Sequence, residues 1–332
     1  MNVAAYLREK AGAREHCALP ILSFPAVQLM DASVGQMVKS SDLQAKAMEI
    51  AARETASAAA VSLMDLSVEA EAFGSQVNFS ENEVPTISSA LIEDMEGAEA
   101  LEIPQVGAGR TGIYVEAIKK AKGLIHDRPV LAGCIGPYSL AGRLMDVTQI
   151  MYLCFDEPDM VKMVLEKATE FLLAYGRAFK EAGADGVIMA EPLAGLLSPE
   201  MNREFSAPYV KRIIDALQDD EFAVIYHNCG NTVLSLLPEL FAMDAAGYHF
   251  GNAVEMEKVL AQAPKDVLCM GNVDPVRCFT NGTPDEMTAA VQSLLKACGD
   301  SPNFLLSSGC DIPPHAKWEN IRAFYAAAAA CK

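Results

Sequence analysis

The run FAVIYHNCGNT, residues 222–232, decides how this chain is read. Its first half is continuously apolar, the pattern of a strand covered on both faces in a parallel sheet. It then breaks into His227, Cys229 and Gly230. In a parallel barrel, side chains become available to a ligand only where the strands stop. Residues i and i+2 of an extended chain point the same way, so the His227 imidazole and the Cys229 thiol converge on one point. That point suits a metal ion.

Outward from this run, short β-rich segments alternate with longer ones of helical spacing. The strands are expected at 19–24, 60–66, 129–134, 186–190, 222–226, 247–250, 267–271 and 303–308. Helix starts are signalled by Ser41-Asp42, Pro158, Ser198-Pro199 and Thr283-Pro284, and stops by Gly183 and Gly299. Eight alternations predict an α/β fold, a (β/α)8 TIM barrel, as a single domain over residues 1–332. A doubly wound sheet would carry a GxGxxG turn after its first strand, and SFPAVQLMDASVG has none. The long segment 68–127, after the second strand, reads as an insertion or lid.

Composition narrows the function. With 51% hydrophobic and 21% charged residues the chain is globular rather than disordered. Twenty-six basic residues against 44 acidic ones give a net charge of −18, which argues against a nucleic-acid partner. No apolar run is long enough for a bilayer, and charge runs through the first sixteen residues where a signal peptide needs an apolar core. A cytoplasmic location without a membrane partner is expected. The nine cysteines, odd in number and scattered, then read as thiols rather than disulfides.

If the barrel closes, the residue after each strand faces one mouth. This brings Cys310, in LLSSGCDIPPH, beside His227 and Cys229. Structural zinc sites use four protein ligands, commonly as two tight pairs, whereas three ligands leave a position open for chemistry. One tight pair plus a distant cysteine is the second pattern. Two thiolates and an imidazole favour zinc over magnesium or calcium. Electron-rich ligands temper the Lewis acidity of the metal, which suits activation of a substrate thiol and alkyl transfer at sulfur.

Other mouth positions take assigned roles. Glu191, directly after GVIMA, is a candidate catalytic group and a possible fourth, displaceable ligand. Asp65, Tyr138, Asn228, Asn252 and His315 are candidate substrate contacts, with Glu69 and Glu71 expected as loop carboxylates. His249 reads as a packed or hydrogen-bonded core residue, Cys134 as a small residue of the cavity wall, and His16 and His126 as lying away from strand ends.

The chain resembles the uroporphyrinogen decarboxylase superfamily, and within it the corrinoid-dependent methyltransferases typified by methylcobamide:coenzyme M methyltransferase. The likeness is carried by MDLSVEAEAFGSQVNF from Met64, LAGCIGPYSLAGRLM from Leu131, AGADGVIMAEPLAGLLSP from Ala182, YHNCGNT from Tyr226, MGNVDP from Met270, NGTPDEM from Asn281 and LLSSGCDIPP from Leu305. It implies an (αβ)8 barrel and a His-x-Cys…Cys zinc motif at His227, Cys229 and Cys310. It also implies methyl transfer between a methylcobamide and a thiol. The corrinoid is expected on a small partner protein, because the chain has no DxHxxG-type cobalamin signature.

The decarboxylase branch lacks the ligand pair and has an Arg-rich N-terminal motif for porphyrin carboxylates. Here only Arg8 and Arg14 precede Arg53. Two alternatives stand beside the leading one. One is decarboxylation of uroporphyrinogen III without a metal; the other is a non-catalytic corrinoid- or tetrapyrrole-binding protein whose zinc is closed by a fourth ligand such as Glu191. Coenzyme M, homocysteine, another thiol or tetrahydrofolate all remain compatible as the small-molecule acceptor or donor.

Overall fold

A computed structural model of the chain describes residues 1–12 and 17–331, so Arg14 and His16 lie outside the described residues. Seven parallel strands form a curled sheet, in the order β1 (Ala60–Val61), β4 (Val130–Ile135), β5 (Gly186–Ala190), β6 (Ala223–Asn228), β7 (Gly247–Phe250), β8 (Cys269–Val273) and β9 (Phe304–Ser308). A separate antiparallel hairpin, β2 (Val77–Asn78) with β3 (Thr86–Ile87), lies between β1 and β4 in the chain. The sheet order follows the chain order, and a helix separates successive sheet strands, as parallel connections require. The architecture is TIM-barrel-like.

The central strands of the sheet are held by burial on both sides. The central runs VLAGCI, GVIMA and AVIYHN are buried at every position, so no polar alternation is needed. The helices are set by local chemistry. Ser40 caps Ser41–Glu54, Thr283 and Glu286 form a reciprocal capping box before Pro284–Cys298, and Gly183 at φ +94° ends Pro158–Glu181.

The expected strand at 19–24 does not form a ladder. Ala18 instead makes single parallel bridges to both Ser57 and Leu306, so this segment joins the two edges of the sheet. Its polar groups are met partly by side chains: Ser307 Oγ donates to Leu19 O (2.7 Å), and Ile21 N donates to Ser308 Oγ (3.1 Å). Phe24–Leu29 is already 3₁₀ helix. The second expected strand, 60–66, is regular only over Ala60–Val61. The strand starting the key run extends beyond 226, through His227 to Asn228.

Segment 68–127 is not loop throughout. It holds the helices Val68–Ala72, Met95–Ala100 and Thr111–Lys122 as well as the hairpin, and Thr111–Lys122 packs against Ser41–Glu54 and β4. Among the described residues no helix is long and apolar enough to cross a membrane.

Candidate metal centre at the strand ends

His227 is the fifth residue of β6, Cys229 lies just past its end, and Cys310 follows β9 by two residues. One donor atom from each lies within 4.8 Å of the others, and Cys310 Sγ is 3.5 Å from His227 Nε2. A tetrahedral zinc ion with ordinary Zn–S and Zn–N distances separates such atoms by about 3.6 Å. The donor set, its spacing and its chemistry therefore fit zinc. Among the described residues this is the one such group of three or more His, Cys, Asp or Glu.

The thiols are electronically unequal. A hydrogen bond from Cys310 holds Cys229 well below the ordinary thiol range, and the same contact together with burial pushes Cys310 up. The pair thus loses its first proton readily. Gly251 makes room for this geometry, since a Cβ there would lie 2.5 Å from the Cα of Cys229.

His227 is buried and hydrogen-bonded behind the cluster. Its Nδ1 is 2.8 Å from Nδ1 of His249 and 3.2 Å from the His249 carbonyl, and the two rings meet edge to face at 4.7 Å. His249 is fully buried, and burial pushes its pKa well down, so it stays neutral. It is a core histidine, as expected, but its partner is the candidate ligand. The pairing follows from the parallel register, which sets His227 directly opposite His249.

Glu191 does not join the three donors. Its Oε1 accepts from Tyr138 N (2.7 Å) and Oε2 from Ser139 N (2.9 Å), with Ser206 Oγ at 3.4 Å. The carboxylate caps the helix Pro137–Met145, whose exposed N–H groups attract an anion as a metal would. Gly136 admits it, because a Cβ there would stand 2.5 Å from the carboxyl carbon. Burial raises the Glu191 pKa to about 7.

The other mouth candidates are turned to protein partners. The buried Tyr138 hydroxyl meets Met151 Sδ (3.2 Å) and Cys154 Sγ (3.6 Å). Asn228 is buried between the Tyr226 hydroxyl and Gly230 N. Asn252 pairs with Asp274, and His315 is exposed beside Gln28, Ser33 and Asn82. Asp65 is fully occupied: it accepts from Arg110 Nη1 (2.5 Å), the Tyr114 hydroxyl (2.8 Å) and both N and Oγ of Ser67.

Sequence reading missed Arg110 and Glu69. Arg110 also reaches Glu71 (2.6 Å), and its guanidinium lies 4.9 Å from the ring of Phe79 in the hairpin segment. Glu69 is no loop carboxylate. It sits in the helix Val68–Ala72, 1% exposed, with Oε1 accepting from Ile135 N and Oε2 unpartnered, and burial raises its pKa to about 7. Cys134, buried near the charges of Glu69 and Glu191, has its thiol pushed well up by burial.

Fold and cluster together define a TIM-barrel-like α/β protein with a two-thiol, one-imidazole centre at its strand ends. The chain belongs to the uroporphyrinogen decarboxylase (URO-D) family, whose sequence profile matches residues 22–331. It resembles the methylcobamide:CoM methyltransferase MtbA of Methanosarcina acetivorans, at 31% identity over 75% of this chain and 72% of that protein. A uroporphyrinogen decarboxylase of Hydrogenovibrio crunogenus is 25% identical over 80% and 77%. In structure the chain superposes on a methyltransferase from Methanosarcina mazei with a TM-score of 0.87, at 22% identity and covering 99% and 98% of the two chains.

Proposed function

We propose that this protein is a zinc-dependent methyltransferase that moves a methyl group between a methylcobamide, carried by a small corrinoid protein, and a thiol. The observation that carries the reading is the convergence of His227, Cys229 and Cys310 within 4.8 Å. The resemblance to methylcobamide:CoM methyltransferases supports the corrinoid half.

In this reading the three side chains hold the metal and leave a fourth position open. Zinc bound there lets a substrate thiol shed its proton near neutral pH while keeping it nucleophilic. The protein's own groups do the remaining work. His227 fixes one donor direction from inside the sheet; Cys229 and Cys310 supply two anionic donors from separate strand ends. Glu191 and Asp65 act on the frame around the metal, through the helix Pro137–Met145 and through Arg110. Segment 68–127, which contributes Arg110 and Phe79, serves as the lid that shapes the acceptor pocket.

The test is a metal analysis of purified protein combined with a methyl-transfer assay from methylcobalamin to coenzyme M, homocysteine and tetrahydrofolate. About one zinc per chain and zinc-dependent loss of methylcobalamin with one of these acceptors is the expected result. A metal-free protein that folds and decarboxylates uroporphyrinogen III would establish the alternative.

A further inference from the structure

The hydrogen bonds behind His227 define a directed chain. The carbonyl of Leu19 can only accept, so Ser307 Oγ donates its single proton to it at 2.7 Å. Ser307 must then accept at its other contact, Nε2 of His249, 2.6 Å away. That places the His249 proton on Nε2. A neutral imidazole has one N–H, so Nδ1 of His249 is bare and faces Nδ1 of His227 at 2.8 Å. His227 therefore carries its proton on Nδ1. The carbonyl of His249, 3.2 Å from the same nitrogen, independently demands a donor there. His227 Nε2 is left with its lone pair directed toward Cys310 Sγ at 3.5 Å.

The sheet explains why these residues meet. His227 and His249 are register partners on neighbouring strands β6 and β7. Ser307 lies on β9, one strand further than β8, and alternate strands of a parallel barrel contribute side chains to the same interior layer. Leu19 belongs to the segment that joins the two sheet edges. All three polar side chains are buried, so water offers no competing partner.

We propose that His249 is the positioning residue of the metal centre, holding His227 as its Nδ1–H tautomer through a relay anchored by Ser307 and Leu19. Metal-binding histidines commonly hand their second nitrogen to a carboxylate or backbone oxygen. Here a second neutral imidazole shares that role with its own carbonyl. The inference rests on the zinc reading above for its consequence, and on the hydrogen-bond directions for its content.

The test uses full-length protein labelled with 15N-histidine, read by long-range 1H–15N correlation, together with zinc titration of wild type, His249→Phe, His249→Asn and Ser307→Ala. In metal-free wild type His227 is expected as the Nδ1–H tautomer and His249 as the Nε2–H tautomer. Zinc affinity is expected to fall about 10- to 100-fold in His249→Phe, the range seen when such supporting partners are removed. His249→Asn should recover most of it, because the amide oxygen can accept where Nδ1 did. Ser307→Ala should admit a second His249 tautomer. A His227 proton on Nε2, or unchanged zinc affinity in both His249 variants, overturns the proposal. If His249→Phe fails to fold, the tautomer spectrum of the wild type still decides. If wild type takes up no zinc, the proposed function fails, while the tautomers in metal-free protein continue to judge the relay.

Discussion

Cys310 Sγ stands 3.5 Å from Nε2 of His227 although 83 residues separate them in the chain. The contact exists because β6 and β9 end at the same rim, with β7 and β8 between them. Replacing Cys310 by Ser leaves that rim intact and exchanges a soft thiolate for a hydroxyl that stays protonated near neutral pH. We expect Cys310→Ser and Cys229→Ser each to lower zinc affinity by at least about 100-fold. Methyl transfer should disappear while the circular dichroism spectrum stays that of wild type. Zinc retained at wild-type affinity in both variants would remove the centre from consideration.

Glu191 separates a capping carboxylate from a metal ligand. Both oxygens are engaged by N–H groups of the helix Pro137–Met145. Truncation to Ala leaves buried donors without an acceptor, which costs about 1–3 kcal/mol for each. Glu191→Ala is therefore expected to lower the urea midpoint clearly and to keep about one zinc per chain. Zinc lost at full stability would reinstate Glu191 as the fourth ligand.

The same residue shows where reading the sequence stops. A carboxylate after GVIMA looks alike whether it turns to a metal or to a helix N-terminus, and Tyr138 and Ser139, which decide it, lie more than fifty residues away. The run at 186–190 was legible because full burial leaves an unbroken apolar string, and GYHF at 247–250 because His249 alone interrupts one; both are strands over those residues. The run at 19–24, LPILSF, is likewise broken by one polar residue alone, Ser23. It is not a ladder, because serine side chains from β9 take up backbone groups of Leu19 and Ile21. The convergence of His227, Cys229 and Cys310 was legible from strand ends alone, whereas the contact of His249 with His227 depends on register.

Glu69 gives stability a pH dependence of known sign. Burial raises its pKa in the folded protein from 4.5 to about 7, so folding favours the protonated form. Below pH 4.5 the group is protonated in both states and imposes no penalty; the stability is lost as pH rises through 7. That difference corresponds to about 3 kcal/mol at most. Glu191 acts in the same direction, so these two groups should make the wild type less stable at pH 8 than at pH 5. Glu69→Gln, neutral at every pH, should remove its own share and be more stable than wild type at pH 8. Urea unfolding of both proteins at the two pH values measures this; equal pH slopes would refute it.

Gly251 is expected to act on the metal through shape alone. A Cβ at this position would stand 2.5 Å from Cys229 Cα and 2.6 Å from Cys229 Cβ, both closer than backbone and side chain can remain. Gly251→Ala must push the Cys229 backbone away, at a cost of about 1–3 kcal/mol. Zinc affinity should fall with it. Gly12→Ala, where the nearest atom is 3.7 Å away, serves as the control and should leave the metal untouched.

Arg110 and Asp65 form a buried pair, with side chains 6% and 0% exposed. Pairs of this kind are marginal as a unit but costly to break, since removing one partner strands the other charge in a poor dielectric, at about 3–5 kcal/mol. Arg110→Gln strands Asp65 and should destabilise by that order. It also releases Glu71 and the stacked Phe79, so the hairpin segment should become more open to protease. Asp65→Asn on top of Arg110→Gln removes the stranded charge while keeping the bonds to Tyr114 and Ser67 within reach of an amide oxygen. The double variant is therefore expected to be more stable than Arg110→Gln alone, with a coupling of about 1–3 kcal/mol in a double-mutant cycle. Additive effects would mean that Asp65 does not depend on Arg110, and would return it to the role of a group facing substrate.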